Sequence, residues 1–220
     1  MKPVLRLREL GRQPYRPIWE AMRTFTDGRD ASTEDELWLL EHPPTFTLGR
    51  NAAPGHLHDP GDIPVVAIDR GGQVTYHGPG QVVLYTLVDL KRRGLGVRAL
   101  VDALEGAVVD LLVSHGLAGE TRREAPGVYV GGAKIAALGL RVRRGAAYHG
   151  VALNVAMDRT PFDRIDPCGY RGLPVTDLAE LGVAADLATI GHELSTRLAH
   201  RLDSPLVETE DGEPHVHVPR

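Results

Sequence analysis

Apolar positions along this chain recur with two periods, and the switches between them mark out its elements. Ile18, Trp19, Met22 and Phe25 fall at helical spacing and predict a helix over residues 17–25. ELWLLEH (36–42) and TFTL (45–48) read as strands interrupted by Pro43 and Pro44. NAAPGHLHDPGD (51–62) is a loop by composition. VVAI (65–68) and VVLYTLV (82–88) read as buried strands on either side of RGGQVTYHGPGQ (70–81). Val101, Leu104, Val108, Leu111 and Leu112 form one stripe of a helix over 97–115, stopped by Gly116. Strands over 128–130 and 133–142 flank Gly131-Gly132, a two-residue hairpin signal, and a further strand covers 147–156. A last helix, 187–202, carries Leu187, Ile190, Leu194 and Leu198, with Asp186 at its N-cap.

Strands arrive in pairs between widely separated helices, which predicts a single α/β (α+β) domain over 1–220 with a mixed sheet rather than regular βαβ winding. The tail after about residue 203 is polar and proline-bearing, so fraying is expected there, and its His215 and His217 read as surface residues rather than metal ligands. The 220 residues are 42% hydrophobic, without an apolar run long enough to span a bilayer or a leader-like start. Cytoplasmic location is the expectation, and a single cysteine, Cys168, fits a reducing compartment. The net charge of −4 gives no reason to expect nucleic-acid binding. Residues 91–144 nonetheless carry a local excess of +5, a solvated face or a docking surface for an acidic partner.

The stretch 70–81 holds four glycines and a proline, more than a turn needs, so something comes close to its backbone. It is not a phosphate cradle. Gly80 is followed by Gln81 rather than by Lys-Ser/Thr, and the chain runs on into a β-branched strand, not a helix. A ligand-lining loop remains.

DPCGY seats Cys168 between a stiff proline and a permissive glycine, where an exposed nucleophile would fit as well as a buried filler. A thiol needs a basic or cationic neighbour to become a thiolate at neutral pH. Only three of the 25 basic residues are lysines, and one of them, Lys134, lies in the apolar setting GGAKIAALG. Unlike arginine, a lysine can serve as a base. His77 and His149, both flanked by glycine, are the other candidates, and spacing alone does not choose among the three.

Taken together, RGGQVTYHGPGQ, GAKIAALGLRV, YHGVALNV and DPCGY resemble the lipoyl(octanoyl) transferases. EHPPTFTLGR (41–50) and VTDL (175–178) fit the same family, so the likeness covers 41–178 in the expected order. It implies the fold of biotin and lipoate protein ligase catalytic domains. It also implies transfer of an octanoyl group from acyl carrier protein to a lysine of a lipoyl domain, through a cysteine thioester, the first step of protein lipoylation. Acceptors would be the lipoyl domains of 2-oxoacid dehydrogenase complexes and the glycine cleavage H protein. No cofactor, metal, nucleic acid or membrane is implied; the donor acyl group rides on phosphopantetheine. By motif, Cys168 would be the nucleophile and Lys134 its acid/base partner. Arg70, Gly71, Gly72, Gln73, Val74, Thr75, Tyr76 and His77 would line the acyl site with Ala137, Leu138, Gly139, Gly150, Val151 and Ala152, the missing glycine side chains making room for the chain. His149 would support them. The rivals are an ATP-dependent lipoate or biotin ligase of the same fold, a non-catalytic acyl-binding module, and a cysteine hydrolase.

Overall fold

A computed structural model describes residues 3–53 and 55–209 of the chain, so His215 and His217 lie outside the described residues. In chain order the strands are β1 (Leu5–Arg12), β2 (Asp35–Glu41), β3 (Thr45–Leu48), β4 (Val65–Ala67), β5 (Val74–His77), β6 (Gln81–Asp89), β7 (Glu120–Thr121), β8 (Gly127–Val130), β9 (Ala133–Arg143), β10 (Ala146–Asn154) and β11 (Leu206–Glu208). The helices are α1 (Tyr15–Asp27), α2 (Leu90–Arg93), α3 (Val97–Ser114) and α4 (Leu187–Arg201). Eight strands form one sheet in the order β11-β1-β2-β6-β10-β9-β8-β7. β1 runs parallel to both β11 and β2, and the remaining pairs are antiparallel. A second sheet, β4-β3-β5, mixes one parallel and one antiparallel pair.

The predicted elements are present, and four strands and the short helix α2 were not foreseen. β1 alternates as a strand should, but its charged residues mask it: buried Arg8 makes a two-pronged ion pair with Glu36 of β2, at 2.7 and 2.9 Å. β11 orders part of the tail expected to fray, because the sheet edge at β1 accepts Leu206–Glu208 as a parallel neighbour. β5 lies inside the glycine-rich stretch, and short β7 pairs with β8. Consequently the strands on either side of that stretch are not neighbours: β4 belongs to the small sheet and β6 to the large one.

α3 and α4 cover one face of the large sheet. Leu100, Leu104, Val108, Leu111 and Leu112 of α3 are fully buried there with Ile190, Leu194 and Leu198 of α4. Truncating one such leucine to alanine costs about 2–5 kcal/mol. Asp186 caps α4 by accepting from the Thr189 N–H at 2.9 Å, as its sequence position predicts. α1 packs on the opposite face, where Ile18 and Met22 meet Trp38, Val83, Tyr85, Tyr148 and Ala152. The small sheet has its own cluster around Phe46, Val74, Tyr76 and Phe162. It also brings the glycine-rich stretch over the centre of the large sheet: the Gly71 N–H donates to the Leu140 carbonyl of β9 at 2.9 Å.

Candidate active site

Between the glycine-rich stretch and strands β6, β9 and β10 lies a cavity of about 430 Å³, a size suited to a small ligand. Lys134 and Cys168 are both on its wall. Lys134 is the second residue of β9, and the sheet edge there is closed by residues 174–176. The Lys134 N–H donates to the Pro174 carbonyl at 2.8 Å, and its own carbonyl accepts from Thr176 at 3.0 Å. The backbone is thus held on both sides and the side chain is buried. Its Nζ donates to Cys168 Sγ at 2.7 Å and to the Pro126 carbonyl at 3.0 Å, above the ring of Tyr129. Gly127 makes this possible, since a Cβ there would lie 2.6 Å from Lys134 Cε.

Cys168 is half-buried in a 3-10 turn, Pro167–Gly169, with φ of 57°, a left-handed conformation few L residues adopt. The turn is braced from the loop at 51–62. The Asp166 N–H donates to the His56 carbonyl at 2.8 Å, and the His58 ring meets the Asp166 carboxylate at 2.9 Å. His56 in turn contacts Gln73 of the glycine-rich stretch at 3.0 Å. A left-handed turn braced at Asp166 restricts the orientation of the thiol.

The other expected lining residues divide. Arg70, Gly71, Gly72, Gln73, Val74, Thr75 and His77 face the cavity, as do Ala137, Leu138, Gly139, Gly150, Val151 and Ala152. Tyr76 does not: strand alternation turns its ring into the Phe46–Phe162 cluster of the small sheet. Two of the four glycines also have another purpose. A Cβ on Gly78 would strike the Tyr76 hydroxyl at 2.4 Å, and one on Gly80 the Ala156 carbonyl at 1.9 Å, so both make room for the protein itself. Arg70 is buried and donates to Thr47 O and Oγ1 at 3.0 and 2.9 Å and to Gly71 O at 3.0 Å. Its guanidinium therefore shapes the loop while lining the cavity.

Neither candidate histidine bonds to the lysine–cysteine pair. His149 has φ of 64°, which breaks strand alternation and turns its ring to the same face as Tyr148, against which it stacks. His149 Nε2 meets Asp69 at 3.1 Å, beside donors from Tyr148 and Trp19. Burial opposes the Asp69 charge, but these three donors outweigh it and hold the carboxyl well below its usual range. His77 Nδ1 donates to Gln81 Oε1 at 2.8 Å, because the Gln81 amide nitrogen is committed to Asn154 at 2.9 Å. Burial lowers both histidines from their ordinary value, His77 strongly. Behind them, His42 donates from Nδ1 to the Gln13 carbonyl and so accepts from the Tyr85 hydroxyl at Nε2; burial brings it down to about 4. Asp69, Gln81, Asn154, His42 and Tyr15 all belong to this polar wall or its backing; Gln81, Asn154 and His42 lie within the motifs read from the sequence without being singled out, and Asp69 and Tyr15 lie outside them.

The basic excess of 91–144 is largely spent within the fold. Arg92 and Arg93 both pair with buried Asp35 at 2.6 Å, Arg98 pairs with Asp102 at 2.8 Å, and Arg143 pairs with Asp27 at 2.6 Å. Arg144 donates to the Asp27 carbonyl, and Arg122 lies over the Tyr129 ring. Among the described residues no helix is long and apolar enough to cross a membrane.

Lys134 and Cys168 thus touch on the wall of a partly open, largely apolar cavity, and comparison with known proteins agrees with the fold around them. The model of the lipoyl protein ligase A/B catalytic domain matches residues 14–199. An octanoyltransferase of Nitrosococcus oceani is 63% identical over 198 residues, 90% of this chain and 88% of its own length. A bi-partite lipoate protein ligase from Thermoplasma acidophilum superposes with a TM-score of 0.77 at 16% identity, over 97% of this chain and 89% of that one. The biotin protein ligase of Aquifex aeolicus shares the fold more distantly, with a TM-score of 0.55 at 12% identity, over 90% and 69% of the two chains. The chain therefore belongs to the lipoyl protein ligase A/B catalytic-domain family, on the side of it where the curated relatives are octanoyltransferases.

Proposed function

We propose that the protein moves an octanoyl group from acyl carrier protein to a lysine of a lipoyl domain by way of a Cys168 thioester. The observation that carries this mechanism is the 2.7 Å contact between Lys134 Nζ and Cys168 Sγ on the wall of the 430 Å³ cavity. Octanoyltransferase relatives support the overall reaction.

Each step follows from the pair. In the scheme Cys168, paired with the lysine ammonium, attacks the thioester carbonyl of the donor as its thiolate. The carrier thiolate leaves with the proton of Lys134, so the acyl-enzyme is formed beside a neutral amine. The incoming lipoyl-domain lysine must be neutral to attack. As its amide forms it loses a proton to Lys134, and Cys168 departs as thiolate. The starting ion pair is restored. The acyl chain lies meanwhile in the cavity, where six or seven buried methylenes contribute roughly 5 kcal/mol at about 0.8 each. The donor is already an activated thioester, so the scheme calls for no nucleotide, cofactor or metal.

Intact-mass measurement after mixing with octanoyl-carrier protein tests this directly. One octanoyl adduct is expected, labile to hydroxylamine, absent from Cys168→Ala, and transferred to an added lipoyl domain without ATP. No adduct, or transfer only with ATP, would replace the scheme by an adenylating ligase.

A further inference from the structure

Glu105 sits on α3 with its carboxylate buried, and nothing in the transfer scheme uses it. Its Oε1 accepts from the Gly127 N–H at 2.9 Å. The carbonyl of that same peptide unit is Pro126 O, the acceptor for Lys134 Nζ at 3.0 Å. One rigid amide therefore has a carboxylate on its N–H and an ammonium on its carbonyl, and the ammonium reaches Cys168 on its other side. The carboxylate and the ammonium are separated by two hydrogen bonds and the width of one peptide, about 8 Å at most.

The arrangement acts in two ways. It fixes the peptide: Pro126 O can orient Lys134 only if the amide cannot rotate, and the Glu105 bond prevents rotation. Gly127, with φ of 144°, offers little resistance of its own. It also places a negative charge behind the ammonium, in surroundings where charges act more strongly than in water. A carboxylate accepting from the N–H draws electron density toward the carbonyl oxygen, which then binds the ammonium better.

Little else near Glu105 offsets its charge. Arg98 Nη2 approaches Oε2 only to 3.9 Å, and its shorter contact is with Asp102. The other charged or titratable groups around Lys134 are Cys168 and Tyr170 from the cysteine turn, Tyr129 from β8 with Arg122 on its ring, Arg70, and Glu124 on the cavity wall. Among these, only Glu105 is a buried carboxylate joined to the lysine through hydrogen bonds.

We propose that Glu105 is a positioning residue for acyl transfer, orienting Lys134 on Cys168 and holding its proton through the Pro126–Gly127 peptide. This rests on Lys134 and Cys168 being the reacting pair. The test is the pH profile of kcat, measured with octanoyl-carrier protein and a lipoyl domain, for the wild type, Glu105→Gln and Glu105→Ala. A glutamine carbonyl still accepts from Gly127, so Glu105→Gln keeps the peptide in place and loses only the charge. Its alkaline limb, where the ammonium gives up a proton, is expected about one pH unit below that of the wild type. Glu105→Ala loses position as well, and its kcat at neutral pH is expected to fall about thirtyfold with KM for the donor within about threefold. An alkaline limb for Glu105→Gln that coincides with the wild type overturns the proposal, and so does wild-type kcat in folded Glu105→Ala. If the alanine variant does not fold, the glutamine profile decides alone. Failure of the reacting pair itself would show separately, as a wild-type enzyme that forms no octanoyl adduct.

Discussion

Two parts of one cavity wall are built from ionisable side chains and treat them in opposite ways. Around Tyr15, His77, Tyr85 and His149, burial removes charge: the histidines are lowered, Tyr15 is raised to about 12 and Tyr85 well above its usual value. Each ring there is tied to a fixed partner or packed on another ring, as with Tyr15 against His77 at 5.3 Å. At Lys134 and Cys168 the two groups touch each other, on a strand end and a strained turn brought together from 34 residues apart. The rings of the first region are neutral, although an ionised Asp69 lies against His149 and Arg70 lines the same wall; in the second a lysine and a thiol touch. Histidine is the more usual base for a thiol, yet both candidate histidines belong to the first region. The division follows from partners rather than from residue type.

Removing the proposed nucleophile has the largest expected effect. Cys168→Ala is expected to lose transfer by at least about a thousandfold while keeping the melting temperature of the wild type. A folded alanine variant with normal turnover would move the chemistry elsewhere. Lys134→Arg comes next. It retains the charge but not the capacity to accept a proton, and a loss of about a hundredfold or more in kcat is expected. Near-normal activity would mean that the lysine only attracts the thiolate, and the base would have to be sought among the histidines.

The neutral region makes its own prediction, in stability rather than rate. His42 falls to about 4 in the fold against an ordinary value of about 6.5. Between those values the unfolded chain binds the proton and the folded one does not. The stabilisation is therefore full above about pH 6.5 and is lost as pH falls toward 4, by up to roughly 3 kcal/mol from His42 alone. His77 and His149 are lowered too and steepen the loss. His42→Gln can keep both hydrogen bonds, to Gln13 and from Tyr85, without titrating. Urea unfolding of the two proteins at pH 7 and pH 4.5 is expected to show a smaller acid loss in the variant. Equal losses would mean that His42 is charged in the fold.

Much of this was legible in the sequence, because most elements announce themselves by period and the candidate reactive residues by rarity. A single cysteine between proline and glycine and one lysine among small apolar residues are local signals. The choice between Lys134 and the histidines was not local. It depends on Asp69, 80 residues from His149, and on Gln81 and Pro126, which are near His77 and Lys134 in sequence but engage them only through the folded geometry. Tyr76 was misplaced for a similar reason: β5 is hidden among glycines, so its alternation could not be applied. β1 was missed because Arg8 looks like a surface residue until Glu36 lies beside it. Glu105 borders the apolar stripe of its helix, one turn from Val101 and Val108, and only the peptide it holds gives a carboxylate there a meaning.

The smallest expected effect concerns the basic segment. Its sequence leaves open a docking surface for an acidic partner, in which Arg143, nine residues after Lys134 on β9, and Arg144 just beyond it would take part. Nine residues of strand span about 30 Å, so these side chains lie far from the thiol. They are also engaged already, Arg143 with the Asp27 carboxylate and Arg144 with the Asp27 carbonyl, at the end of α1. The ion pair is about one-third exposed on each side, and exposed pairs contribute only about 0.2–1 kcal/mol. Replacing both arginines by glutamate is therefore expected to lower stability by about 1 kcal/mol, mostly through repulsion with Asp27, and to leave KM for octanoyl-carrier protein within about twofold. A severalfold rise in KM at low ionic strength, abolished by salt and absent with a small octanoyl thioester, would show instead that the carrier's footprint reaches the far end of β9. The two outcomes separate an arginine that anchors a helix from one that steers a partner.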